Sequence, residues 1–69
     1  MKISARNQLK GRITQIKYGV TTSHVVIDIG GGSVVMASIT NESVDDLGLQ
    51  VGQTAYAIIK TSDVMVGIE

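Results

Sequence analysis

The chain has 69 residues, six basic and six acidic side chains and no net charge, with 43% hydrophobic residues, no cysteine, no Phe and no Trp. That excludes disulfide bonds and thiolate metal sites, and it leaves Val, Ile, Leu, Ala and Met to build the core of one small domain. A neutral chain also lacks the broad positive face that non-specific nucleic-acid binding requires. The first predicted element runs from Leu9 to Tyr18. Its alternation slips near Thr14-Gln15, where a β-bulge or sharp bend is expected. A turn follows around Gly19. Thr21 to Ile29 is the clearest strand, with Val25, Ile27 and Ile29 on one face and His24, Val26 and Asp28 on the other. Gly30-Gly31-Gly32 reads as a hairpin tip, and Ser33 to Thr40 as the returning strand. Thr40 to Gly48 reads as one short helix, capped by Thr40, with Glu42 in its first turn and Gly48 in the left-handed C-terminal position. Val44 and Leu47 are expected to face the core. Thr54 to Lys60 is a further strand, with Tyr56 and Ile58 on one face and Ala55, Ala57 and Ile59 on the other. Val64, Val66 and Ile68 alternate as a last strand. The sum is an all-β fold: a small five-stranded OB-like barrel with one short helix after the third strand. Barrel closure is expected to remove the free edges.

Charge is unevenly spread. Lys2, Arg6, Lys10, Arg12 and Lys17 open the chain with no acid among them, and Lys60 is the only later base. A local positive field on a neutral protein suits a small anion. Ser4, Ala5, Arg6 and Asn7 supply a hydroxyl, a guanidinium and a carboxamide, and Ala5 is small enough to let backbone N–H groups approach a ligand. A tetrahedral dianion needs such convergent donors to replace its lost water. On residue chemistry alone, a plain polar tail is the simpler reading. Lys60, Thr61 and Ser62 form a second cluster, at a strand-to-turn junction where backbone N–H groups are free. In isolation they are an ordinary polar turn. The turn Val20-Thr21-Thr22-Ser23-His24 offers further hydroxyls, and read by itself it is an ordinary turn.

Other patterns point to no chemistry. Gly30-Gly31-Gly32 lacks the Lys-Ser or Lys-Thr of a phosphate loop and opens a strand, not a helix. His24 is the only histidine, so no transition-metal site is expected. Asp45 and Asp46 are adjacent on a helix and do not face one another. With no acid–base pair and no Ser-His-Asp pattern, the chain does not read as an enzyme. The opening Met1-Lys2-Ile3-Ser4 is not a secretory leader and no apolar run has membrane-spanning length, so a cytoplasmic location is expected. The apolar content exceeds what so small a monomer hides, which predicts a homo-oligomer.

The stretch Ser4-Ala5-Arg6-Asn7-Gln8-Leu9 resembles the signature of the molbindins, the Mop family of molybdate-binding proteins. The resemblance continues through Ile39-Thr40, Leu47-Gly48-Leu49, Val51-Gly52 and Ala57-Ile58-Ile59-Lys60-Thr61-Ser62. It covers nearly the whole chain, read as a single Mop domain over residues 1–69. The resemblance implies molybdate or tungstate as the ligand, with no organic cofactor and no direct protein–metal bond. It implies a site in which Ser4, Ala5 and Arg6 of one subunit meet Lys60, Thr61 and Ser62 of a neighbour. It also implies a second class of site on a threefold axis, for which Val20 and Thr22 are the candidates, and a hexamer built as a trimer of dimers. Two other readings stand beside it. An OB module that binds nucleic acid fits the barrel and the basic opening, but only Tyr18 and Tyr56 are available for base stacking. An assembly protein without a ligand is the third.

Overall fold

A computed structural model describes all of residues 1–69. Four strands form one antiparallel sheet: β1 (Asn7–Tyr18), β2 (Thr22–Gly30), β3 (Ser33–Thr40) and β4 (Thr54–Ile59). Their spatial order is β3-β2-β1-β4. A helix, α1 (Asn41–Leu47), links β3 to β4, and a 3₁₀ turn, Thr61–Asp63, follows β4.

The local signals act where the sequence places them. The β1–β2 register slips between Ile13 and Gln15, which leaves Thr14 unpaired as the bulge. The slip lets Ile13 and Ile16, three apart, both face inward, Ile13 fully buried and Ile16 partly so. The bulge also anchors the chain before β4: Ile13 donates its N–H to the Gln53 carbonyl at 2.9 Å, and Gly52 donates to the Ile13 carbonyl at 2.7 Å. Gly30, Gly31 and Gly32 all have positive φ, the conformation a tight hairpin tip demands. The Thr40 hydroxyl accepts from the Ser43 N–H at 3.0 Å, and Gly48 closes the helix at φ 62° and ψ 39°.

The core is thin. Ile13, Val25, Ile27, Val44 and Ala57 are its buried hydrophobic members, and Ser23 is the one buried polar residue. Helix α1 reaches that core through Val44, while Leu47 is 66% exposed. The expected inward Leu47 is therefore corrected: Val44 takes the single inward position, and the helix ends at Leu47 before another turn can add a second.

The expected fifth strand is also corrected. Residues 64–69 adopt no regular structure, and the sheet has four strands. Alternating Val64, Val66 and Ile68 describe a segment able to form a strand, but no backbone edge of this protomer pairs with it. The barrel is consequently open between β3 and β4, the two ends of the strand order. The strand bounds shift slightly as well. β1 begins at Asn7, two residues before the expected Leu9, and β4 ends at Ile59, one residue before Lys60.

One long-range network fixes the turn between β1 and β2. The Asn41 Nδ2 group donates to the carbonyls of Gly19 and Val20 at 3.1 and 3.2 Å. Its backbone N–H donates to the Thr21 carbonyl at 2.9 Å. Ser23 Oγ, fully buried, donates to Asn41 Oδ1. Asn41 thus ties the start of α1 to the turn and satisfies the buried hydroxyl.

Two substitutions check this account. A Cβ at Gly11 would lie 2.4 Å from the Asp28 carbonyl oxygen and 2.7 Å from Ile27 Cγ2, so the two strands must part. Gly11→Ala should lower stability by about 1–3 kcal/mol in chemical denaturation; an unchanged midpoint would mean that β1 and β2 are not packed this closely. Asn41→Ala strips the partner from buried Ser23 and should cost about 1–3 kcal/mol. Replacing both residues by apolar ones should recover part of that loss, and a purely additive double variant would contradict the coupling.

Candidate functional site

The two polar clusters that the sequence singles out are far apart in the chain and close in the fold. The β1–β4 ladder is antiparallel and its terminal pair is Asn7 with Ile59. Arg6 is the residue before Asn7, and Lys60 is the residue after Ile59. The strand register therefore delivers both cations to the same end of the same ladder. The Asn7 carboxamide reinforces this end by donating from Nδ2 to the Ile59 carbonyl at 3.2 Å. Gln8 Nε2 donates to the Ala5 carbonyl at 2.7 Å, which folds the residues before the strand back onto it. Within the opening signature the two carboxamides are thus structural, and the hydroxyl and guanidinium are left on the surface. Ser4 and Arg6 are exposed, and Ala5 is half-buried.

On the β4 side the chain enters the 3₁₀ turn directly. Lys60 is its extended cap residue, at φ −60° and ψ 141°. Asp63 donates its N–H to the Lys60 carbonyl at 3.0 Å, and Val64 donates to Thr61 at 3.4 Å. The N–H groups of Thr61 and Ser62 stand at the start of this turn, where the turn itself supplies no acceptor. Lys60, Thr61 and Ser62 are all exposed. One end of the ladder thus presents a guanidinium, an ammonium, three hydroxyls and backbone donors. This collection is cationic and rich in donors, the composition that replaces the hydration of an oxyanion. In the single protomer these groups lie on an open surface.

The weaker candidates divide. Thr22 lines a shallow cleft of about 190 Å³ with Lys17, Tyr18, Gly19 and His24. Val20 lies outside it and is 97% exposed. Ser23, one of the hydroxyls of that turn, is not available to a ligand, because it is buried and committed to Asn41. His24 is exposed and cross-strand from Lys17. The residue that organises this region, Asn41, reads in the sequence only as the first residue of a helix. Its hydrogen bonds span 21 and 22 positions, a separation that no local pattern encodes. No helix is long and apolar enough to cross a membrane, and no group of His, Cys, Asp and Glu is placed to hold a metal ion.

Comparison with known proteins agrees with this architecture. The TOBE domain family model matches residues 3–66. A probable molybdenum-pterin-binding protein of Haemophilus influenzae is 54% identical over 69 residues, covering the whole of both chains. A molybdate-binding protein of Sporomusa ovata superposes with a TM-score of 0.90 at 35% identity, over 99% of this chain and all of that one. The cytoplasmic molybdate-binding protein ModG, solved with molybdate bound, superposes with a TM-score of 0.92 at 36% identity; the whole of this chain matches 49% of that longer one. With a family model spanning nearly its full length and a relative alike from end to end, the chain belongs to the TOBE-domain proteins, and among them to the molbindin or Mop family.

Proposed function

We propose that the protein reversibly binds molybdate, and tungstate of nearly the same size, as a store or buffer of the oxyanion in the cytoplasm. The observation that carries this reading is the β1–β4 register, which brings Arg6 and Lys60 to one strand end. Relatives and structural neighbours named for molybdenum-pterin or molybdate binding support it. Arg6 and Lys60 neutralise the dianion. The hydroxyls of Ser4, Thr61 and Ser62 and the nearby backbone N–H groups set its geometry, and Ala5 keeps the approach clear.

Selectivity follows from two physical features. Molybdate and tungstate have longer metal–oxygen bonds than the sulfur–oxygen bonds of sulfate, so a cradle sized for them leaves sulfate with poor contacts. A cradle made of donors alone also penalises hydrogen phosphate, whose proton needs an acceptor. The protein acts as a binder and not as an enzyme. The complete site is formed between subunits of a hexamer, arranged as a trimer of dimers, and bound oxyanion stabilises that assembly by mass action. Val20 and Thr22 belong to a second, weaker class of site.

Titration calorimetry with molybdate, tungstate, sulfate and phosphate tests this function. Strong heats with the first two and weak ones with the others are expected; equal affinity for all four, or no heat with molybdate, would defeat it. Arg6→Ala should weaken molybdate binding by about 1.5–3 kcal/mol, the size of a charge-assisted contact, which is on the order of tenfold to a hundredfold. An unchanged affinity would remove Arg6 from the site.

A further inference from the structure

Two cations of the basic opening, Lys10 and Arg12, take no part in the site described above. Both are exposed, while the intervening Gly11 is half-buried and the next residue, Ile13, is buried. Strand alternation therefore sets Lys10 and Arg12 side by side on the solvent face of β1. Across β4, Lys10 is opposite Tyr56 and Arg12 opposite Thr54, so neither meets an acid there. Across β2, Arg12 is opposite Asp28, whose Oδ1 already accepts the Gly30 N–H at 2.8 Å. The next outward pair toward the strand end, Gln8 with Ile58, is uncharged. Glu42, Asp45 and Asp46 lie on α1, which packs on β2 and β3, away from β4 in the strand order. Two like charges on one strand face, about 7 Å apart, repel weakly and add nothing to the fold.

Their place relative to the strand end is the informative feature. Arg6 stands at that end, and Lys10 and Arg12 follow it by four and six residues. At about 3.3 Å per residue, the two lie roughly 13 and 20 Å along the strand from it. That is too far for contact with an ion held by Arg6 and Lys60. It is not too far for their field, since the screening length is about 10 Å at 0.1 M salt and about 30 Å at 0.01 M. A dianion feels each charge with twice the energy of a monovalent ion.

We propose that Lys10 and Arg12 steer the incoming oxyanion dianion to the strand end and raise its association rate without touching it. The proposal rests on the oxyanion reading above. Arg6 and Lys60 hold the ion, while Lys10 and Arg12 extend the positive field outward along the exposed face of β1. Encounters with that face are then drawn toward the end of the ladder. An attraction that acts before contact changes the on-rate and leaves the off-rate nearly unchanged. It also fades as salt is added, so capture is fastest at low ionic strength and release is governed by the contact groups.

The double variant Lys10→Gln with Arg12→Gln removes both charges and leaves the core and the ladder hydrogen bonds in place. Calorimetry gives its Kd for molybdate, exchange-resolved NMR gives the off-rate, and the two together give the on-rate. At ionic strength near 0.01 M the on-rate should fall about threefold, and the difference should vanish near 0.5 M. The off-rate should not change. The charge-conserving pair Lys10→Arg with Arg12→Lys should keep the original on-rate. An on-rate unchanged at low salt, or a loss carried wholly by the off-rate, would overturn the steering. The paramagnetic hexacyanochromate anion reports the same field without molybdate. It should relax the amide protons of residues 8–12 faster than a neutral gadolinium chelate does, and the excess should shrink in the glutamine variant; no excess would also overturn the proposal. Molybdate binding at a rate indifferent to salt and to both charges defeats the steering alone. No molybdate binding by the unaltered protein defeats the proposed function, and the steering of molybdate with it.

Discussion

The β1–β4 ladder is the constraint on which the rest depends. Its antiparallel register ends at the Asn7–Ile59 pair, and that single alignment decides which residues share the strand end. A slip of one residue would turn the side chains of β4 over, burying Tyr56 and Ile58 in place of Ala57. It would also part Arg6 from Lys60 along the ladder. Three features hold the register. Ala57 packs in the core, the Asn7 carboxamide binds the Ile59 carbonyl, and the bulge at Thr14 fastens the chain just before β4 through Gly52 and Gln53.

The division of labour within the opening signature follows from the same ladder. Four polar or charged residues stand close together there, and two of them are consumed by structure. Asn7 and Gln8 spend their carboxamides on backbone carbonyls, which stiffens the approach to β1. Ser4 and Arg6 stay exposed, which leaves them open to the ligand of the proposed function. A donor cradle gains selectivity when its groups are held before the anion arrives, since less ordering is then lost on binding. The rigid ladder supplies that preorganisation beneath an otherwise exposed surface.

Much of this fold was legible in the residues because its signals are local. The parity slip at Thr14-Gln15, the glycine tip, the Thr40 cap and Gly48 each act within a few positions, and each acts as read. Where partners are distant, the sequence speaks less. Alternation in Val64, Val66 and Ile68 marks a segment able to form a strand but carries no information on pairing, and the sheet of the protomer has four strands. The heptad-like spacing of Val44 and Leu47 gave no measure of how little of a two-turn helix touches the core. Asn41 carries no local mark of its long-range role. The resemblance sets Arg6 of one subunit against Lys60 of a neighbour, which composition does not reveal; within one protomer the strand register brings these two residues to the same ladder end.

Anomalous X-ray scattering from crystals grown with tungstate addresses the central claim most directly, because the heavy atom reports its own position. The account predicts a strong peak at the end of the β1–β4 ladder, within hydrogen-bonding reach of Arg6 and of the Lys60–Ser62 segment. A peak confined to the cleft beside Lys17 and Thr22, or none at all, would contradict it.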